Sequence, residues 1–383
     1  METKNKPNKF INIFNDNQFS PDDAAKGLFL FIVFSTIISY TFEVVATLNV
    51  NVNFWSYFFT VIIDISFVLS VWIVAKSRNK NFIPNLKVEN KINIIQVVLA
   101  LVIAGVSIFA FSGITNLFME FLGATGYRSN ASSIVVSSFG RYILYTVLIC
   151  VLPAICEEIL FRGLIFTGLK KVNFTFGVIG SAFLFMLMHQ NPDQTVHQFL
   201  LGILLALAFN YTNSIWMPML IHFFNNFIAV TYSFIAYGDS DPNAVVTTVE
   251  ISLFEYLLFA IITLAIGVAL LYFIFKLLNN INIKKVNDNK LQIVDENQFA
   301  PVVLQTDSPD YITTNNNQAV QNIVDFENVE TAEEVDNQIY RETISSKMRP
   351  ENRLSKTGII MLVFSIGYMG VMWFLSYLMG LLI

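Results

Sequence analysis

Long apolar runs recur along most of the chain, and they constrain its fold more than any other feature. Each is close to the roughly 20 residues that a helix needs to cross the hydrocarbon core of a bilayer. Because lipid offers no hydrogen bonds to open backbone groups, segments of this kind are helical. The sequence therefore predicts an all-α, polytopic transmembrane helix bundle. About nine spans are expected, at approximately 27–49, 54–75, 92–122, 141–168, 174–190, 197–211, 214–236, 251–278 and 357–382.

Composition excludes a soluble globular protein. Hydrophobic residues make up 55% of the chain and charged residues only 13%, whereas soluble domains carry about 25% charged residues. The net charge is −5, and no basic patch indicates nucleic-acid binding. The expected partner of most of the surface is therefore membrane lipid, and nucleic acid is not expected as a partner.

Basic residues are unevenly distributed among the loops. They precede the first span and follow spans two, four and eight, while the loop after span seven has Asp239 and Asp241 and no base. With nine spans these basic clusters fall on one side of the membrane, and Arg128 is the exception. Since such loops face the cytoplasm, we expect a multi-pass cell-membrane protein with a cytoplasmic N-terminus. The composition, rich in Asn, Lys and Ile, favours a bacterial plasma membrane.

The hydrophilic stretch 279–355 differs from the rest of the chain. It holds thirteen acidic and seven basic residues and is rich in Asn and Gln. Such a segment buries too little apolar surface to fold by itself, so it is expected to be a largely disordered cytoplasmic linker. A small docking module that binds a protein partner is the alternative. The predicted segments are a cytoplasmic N-terminus (1–26), N-terminal spans (27–139), a central core (140–236), an eighth span (237–278), this linker and a last span (356–383).

The fourth span contains a pair of carboxylates and a guanidinium. Ionisable groups inside a span are costly and indicate function. In Glu157-Glu158-Ile159-Leu160-Phe161-Arg162, Glu158 and Arg162 are four apart, share a helix face and can pair. Glu157 lies about 100° away around the helix, has no partner on its own face, and is therefore a candidate general base or acid. A charge network that only locks helices together is the alternative.

Two further spans carry histidines in a four-residue pattern. Phe185 and His189 share a face near the end of the fifth span, and His222 and Asn226 share a face in the seventh. The alternatives are an interfacial histidine in the fifth span and an interhelical hydrogen bond, which contributes about 1 kcal/mol or less, in the seventh. At 1.5 Å per residue, the depths of His189, His222 and Glu157 let them meet within the membrane.

The remaining ionisable residues in or near the spans form no such pattern. His197, the third histidine, follows a loop, and we expect it at the outer interface and not as a ligand. The others are interpreted as packing or interfacial groups: Glu43, Asp64, Glu120 and Glu255.

Over roughly residues 140–235 these three motifs together resemble the CPBP family of intramembrane peptidases, also called the CAAX-protease or bacteriocin-processing (Abi) family. Its pattern is EExxxR, then FxxxH, then HxxxN, and all three are intact and in order here. The resemblance implies a CPBP-type helical core that hydrolyses peptide bonds within the membrane. The ninth span and the acidic insertion depart from the compact core expected of that family.

The resemblance also implies a role for each motif residue. Glu157 with His189 would activate a water molecule, and His222 with Asn226 would stabilise the oxyanion. Glu158 and Arg162 would hold the helix and orient the base, with Phe185 as a further supporting residue. No cofactor is favoured. Zinc held by Glu157, His189 and His222 is the alternative, since these residue types bind zinc, although no HExxH motif occurs.

Two other functions are compatible with the pattern. One is a non-catalytic membrane scaffold or bacteriocin-immunity protein of the same fold. The other is a proton-coupled transporter, since buried Glu and His also serve in proton relays; carriers usually show two related halves, however, and none are visible. The substrate stays open. A membrane-associated peptide or protein is expected, and prenylated-protein maturation, peptide processing and self-immunity all fit.

Overall fold

The computed structural model of the protein describes residues 18–48, 52–129, 136–237, 252–299 and 352–382, with side chains except at 52, 53, 237 and 282–299. Within these ranges every regular element is helical. The segment 1–17 and most of the acidic insertion lie outside the described residues. The predicted segment boundaries therefore stay predictions.

Ten helices and one 3₁₀ turn (Pro192–Gln194) make up the regular structure of the described residues. Eight are long and apolar enough to cross a membrane, and the apolar α6, at 15 residues, is shorter, so the predicted multi-pass helical bundle is confirmed. The short α3 was not predicted. The helices are α1 (Pro21–Ala46), α2 (Val52–Ser77), α3 (Ile83–Leu86), α4 (Ile94–Ala124), α5 (Phe139–Leu169), α6 (Phe174–Met188), α7 (Thr195–Thr212), α8 (Trp216–Tyr237), α9 (Leu253–Phe299) and α10 (Lys356–Leu382).

Helix starts are defined by side-chain caps. Ser20 accepts a hydrogen bond from the backbone N–H of Asp23, whose carboxylate accepts one from the N–H of Ser20. Asn93 and Gln96 form the same reciprocal pair at the start of α4. Each pair satisfies N–H groups that have no partner within the helix, so α1 and α4 begin at sharply defined positions.

Small residues allow the helices to approach closely. A Cβ added at Gly202 in α7 would lie 2.9 Å from the Cα of Ala182 in α6, and one at Gly113 in α4 would lie 2.6 Å from the Cα of Ala260 in α9. Since lipid supplies no hydrophobic force between helices, close packing of this kind stabilises a membrane bundle. The α6–α7 crossing matters for the site, because both helices carry its residues.

The last helix is part of the bundle. Thr36 of α1 donates to the hydroxyl of Tyr368 at 2.9 Å, and the indole N–H of Trp373 donates to the hydroxyl of Thr195 at 2.8 Å. In sequence, α10 departs from the expected compact core. In the structure it packs on α1 and reaches the start of α7.

Polar contacts mark the two ends of the bundle. At one end Arg78 pairs with Asp23 at 2.8 Å, and Lys80 and Lys171 both donate to the backbone carbonyl of Gln18. The basic loops after α2 and α5 therefore lie at the same end as the start of α1, as the loop charges indicated. Which membrane face this end occupies stays a prediction.

At the opposite end the loop after α4 contacts the turn that precedes α7. The Tyr127 hydroxyl donates to Asp193 at 2.8 Å. Burial and this hydrogen bond raise the pKa of Tyr127 above its usual value. The contact ties the loop after α4 to the turn that precedes α7.

Candidate active site

Helix α5, which carries the paired carboxylates, is interrupted by two π-helical segments. These are Thr146–Val151 and Ile159–Phe166, on either side of the α-helical Leu152–Glu158. π-helical insertions are rare in proteins as a whole, and those that occur frequently lie at functional sites. The wider turns change the angular position of every side chain that follows. The π segments therefore affect the directions in which Glu157, Glu158 and Arg162 point.

Proline explains the polar contact of the first π segment. Pro153 has no N–H to offer to the carbonyl one α-helical turn earlier, which belongs to Ile149. The side-chain amide of Asn226 in α8 donates to that carbonyl at 2.8 Å. One N–H of Asn226 therefore satisfies an α5 backbone group and joins the two helices.

The pair expected within α5 is formed and extends to a third residue. Arg162 Nη1 lies 2.8 Å from Glu158 Oε1, and the same oxygen lies 2.9 Å from His222 Nδ1. All three side chains are almost completely buried. Because a carboxylate accepts, the imidazole donates through Nδ1–H, which directs its Nε2 away from Glu158.

The second carboxylate lies on the other side of the same imidazole. Glu157 Oε2 is 4.0 Å from His222 Nε2, beyond direct hydrogen-bond distance, and it has no hydrogen-bond partner among the described residues. Polar groups at such a separation are commonly bridged by water. The structure thus brings Glu157 and His222 together, at a separation that one bridging water molecule would close.

Phe185 of α6 is the packing surface that links His189 to this cluster. Its ring centroid lies 5.0 Å from that of His189 and 5.8 Å from that of His222, and the Arg162 guanidinium lies 4.7 Å from the ring. His189 Nδ1 donates to the Phe185 carbonyl at 2.8 Å. This bond selects the tautomer whose Nε2 can accept a proton. His189 therefore belongs to the cluster without a direct contact to Glu157.

The sequence did not indicate two further members of the site. His197 Nε2 lies 3.3 Å from Asn225 Oδ1, so His197 has a partner in α8 that its position after a loop did not reveal. Asp64 of α2 is buried, with one carboxylate oxygen unpaired, and is close enough to Glu157 for their charges to interact. The available signals were that His197 is one of three histidines in the chain and that Asp64 is an ionisable residue inside a predicted span.

The zinc alternative, with Glu157, His189 and His222 as ligands, stays a prediction. Among the described side chains, no group of three or more His, Cys, Asp or Glu is placed to hold a metal ion. His189 and His222 each use one ring nitrogen in a protein hydrogen bond. Both hydrogen bonds engage Nδ1 and leave Nε2, the nitrogen that a metal ion would take.

These features define a class of protein. It is a multi-pass helical membrane protein whose central helices α5 to α8 bury carboxylate, imidazole, amide and guanidinium groups against one another. The site lies among spans and is formed by residues that are far apart in the chain.

Comparison with known proteins agrees with this class. Residues 139–228 match the family model described as Type II CAAX prenyl endopeptidase Rce1-like. The Bacillus subtilis protein named "Putative membrane peptidase YdiL" is 28% identical over 130 residues, which cover 33% of this chain and 53% of that protein. The chain thus spans about half the length of the relative that it matches. No solved structure matches the chain. The resemblance to the CPBP family is confirmed over the part of the chain that carries the motifs.

Proposed function

We propose that this protein is an intramembrane endopeptidase that hydrolyses a peptide bond of a membrane-associated protein or peptide. The observation that carries the proposal is that the facing atoms of Glu157 and His222 lie 4.0 Å apart, a gap that a water molecule can bridge. A reacting carbonyl and a water molecule require a carboxylate to take a proton and donors to stabilise negative charge. Groups of both kinds border this gap.

Glu157 serves as the general base. Its carboxylate is buried without a hydrogen-bond partner, so it is available to take a proton from water. His189, whose Nε2 is the accepting nitrogen of its ring, helps to orient that water. Oriented proton transfer of this kind contributes about 100- to 10,000-fold to a rate.

His222 faces the oxyanion, with Asn226 beside it on α8. Glu158 accepts a hydrogen bond from His222 Nδ1 and stabilises the ring when it carries a positive charge, so that Nε2–H can donate to the oxyanion. Arg162 balances the Glu158 carboxylate, and Phe185 positions both histidines. Asn226 keeps one N–H for this role, since the other is used by the Ile149 carbonyl.

The step assigned to these residues needs no metal. The side chains supply a base, a proton acceptor that orients water and two donors. The enzyme is therefore proposed to be of the glutamic type. Its substrate class follows from its surroundings: the scissile bond must enter the bundle from lipid, so the substrate is membrane-associated.

The test compares wild type with Glu157→Gln, which removes the base and keeps the side-chain shape. Peptides released from cells that carry each form are identified by mass spectrometry, and the cleaved sequence is then assayed with purified protein in liposomes. We expect Glu157→Gln to lower the cleavage rate by about 100- to 10,000-fold. Glu43→Gln, at an exposed position of α1, is the matched control and should cleave normally.

Normal cleavage by Glu157→Gln would contradict the proposal. The scaffold or immunity alternative predicts another outcome: Glu157→Gln keeps the biological phenotype, while removal of 279–355 abolishes it. The two variants assayed together therefore separate catalysis from partner binding.

A further inference from the structure

Asn225 is a buried amide that lies outside the three motifs. The residue is only 5% exposed, and its Nδ2 has no hydrogen-bond partner among the described residues. Buried donors are paired in nearly all proteins, and an unpaired one in a native structure calls for an explanation. Here the donor lies on α8, the helix that carries His222.

His197 determines which end of this amide faces away from α7. An imidazole N–H donates to a carbonyl oxygen, and His197 Nε2 is 3.3 Å from Asn225 Oδ1. The His197 ring in turn packs edge-on against Phe111 of α4, with centroids 6.1 Å apart. The hydrogen bond holds the oxygen of Asn225 toward α7 and leaves its NH₂ group for another acceptor.

The position on the helix places Asn225 on the face of α8 that carries His222. Residues three and four positions after His222 flank it on the same face, and these are Asn225 and Asn226. Asn226 has one N–H committed to the Ile149 carbonyl. Asn225 has both N–H groups uncommitted and is the more buried of the two.

We propose that the NH₂ group of Asn225, positioned by His197, donates a hydrogen bond to the oxyanion; this rests on the proposed peptidase function. The water oxygen bonds to the substrate carbonyl carbon, one water proton passes to Glu157, and the carbonyl π electrons move onto the oxygen that Asn225 and His222 face. When the carbon–nitrogen bond breaks, those electrons re-form the carbonyl and the leaving nitrogen takes the proton from Glu157.

The main test uses two substitutions of Asn225. Asn225→Asp keeps the shape and replaces the NH₂ group with oxygen, while Asn225→Ala removes both ends. The probe is a quenched fluorescent peptide with the cleaved sequence that mass spectrometry identifies in cells. It is assayed with full-length protein in phosphatidylcholine and phosphatidylglycerol liposomes. We expect kcat to fall about 100- to 1,000-fold in each variant, with KM unchanged. Asn210→Ala in α7 is the matched control and should keep kcat.

A second pair of variants tests the positioning role of His197. His197→Phe keeps a ring and removes the donor, whereas His197→Gln keeps a donor that reaches the amide oxygen. We expect His197→Phe to lower kcat without changing KM, by less than Asn225→Ala does, and His197→Gln to restore part of the loss. If His197 had only a structural role, His197→Gln would not restore kcat while KM stayed unchanged.

A third measurement does not depend on turnover. A phosphinic analogue of the same peptide carries an anionic tetrahedral centre, so its Kd reports stabilisation of the oxyanion. We expect Asn225→Ala to weaken analogue binding by at least about tenfold. The Kd of the substrate peptide itself is measured in proteins that also carry Glu157→Gln, so that the peptide is not cleaved. That Kd should be the same with and without Asn225→Ala.

The outcomes separate the inference from the function on which it rests. If wild type cleaves the peptide and both Asn225 variants keep kcat within about twofold, the inference is wrong and the peptidase stands. If cells with the wild-type protein and cells with Glu157→Gln release the same peptides, the inference and the peptidase function are both wrong. Equal loss in His197→Phe and His197→Gln would overturn the positioning role.

Discussion

At the residue scale, the site depends on a carboxylate oxygen that accepts two hydrogen bonds. Glu158 Oε1 receives both Arg162 and His222, and Arg162 Nη2 also donates to the Gly202 carbonyl at 3.2 Å. A buried charge is tolerated only when it is paired and hydrogen-bonded. The pairing therefore lets both charges be buried and orients His222 at the same time.

Removing one member of this pair should be worse than removing both. Arg162→Met leaves Glu158 as an uncompensated buried charge, so we expect the free energy of unfolding to fall by about 3–5 kcal/mol. The double variant Glu158→Gln with Arg162→Met removes both charges and should recover much of that loss. Thermal unfolding in detergent measures all three proteins, and a double variant no more stable than Arg162→Met alone would contradict the expectation.

At the element scale, the close crossing of α6 and α7 holds α7, which carries His197, against α6, whose C-terminal cap is His189. Gly202 meets the backbone of Ala182 at this crossing, and its carbonyl accepts from Arg162. Glycine is required there because a side chain would separate the helices. The π segments of α5 are the other element-scale device, because they set which residues face α8.

A single methyl group at that crossing should destabilise the bundle. Gly202→Ala forces α6 and α7 apart, and we expect it to lower the free energy of unfolding by about 1–3 kcal/mol. Gly105→Ala in α4 is the matched control, since no atom lies within 4 Å of its added Cβ. There the same change should be neutral or stabilising. Thermal unfolding checks both, and equal behaviour of the two variants would show that the crossing tolerates a side chain.

At the scale of the whole molecule, the two ends of the bundle carry different polar contacts. Asp23, Arg78 and Lys80 interact at one end, and Tyr127 contacts Asp193 at the other. Because basic loops are retained in the cytoplasm, the end with the start of α1 is predicted to face inward. The two native cysteines are buried and unpaired, which makes thiol labelling a clean probe of this orientation.

Single cysteines at the two ends should label differently. Ser77→Cys lies at the end of α2 and Ser129→Cys lies in the loop after α4, and both positions are exposed. In intact cells a membrane-impermeant maleimide should modify Ser129→Cys and not Ser77→Cys, and opening the cells should expose the second. The unsubstituted protein controls for labelling of Cys150 and Cys156, and the reverse pattern would invert the predicted topology.

Local patterns were sufficient for much of the fold and for part of the site. The spans follow from apolar length, because lipid demands satisfied backbone groups over a fixed thickness. The Glu158–Arg162 pair follows from four-residue spacing within one helix. For the same reason the faces shared by Phe185 and His189, and by His222 and Asn226, were predictable from the sequence.

Only the tertiary structure decided the contacts between helices. The sequence determined a bundle of apolar helices and which ionisable residues each helix carries, since both depend on local composition. It did not determine that His197 meets Asn225, that Asp64 lies near Glu157, or that Asn226 serves the Ile149 carbonyl. Those contacts depend on helix crossings and on the π segments of α5, which alter facing in a way that a regular 3.6-residue period does not express.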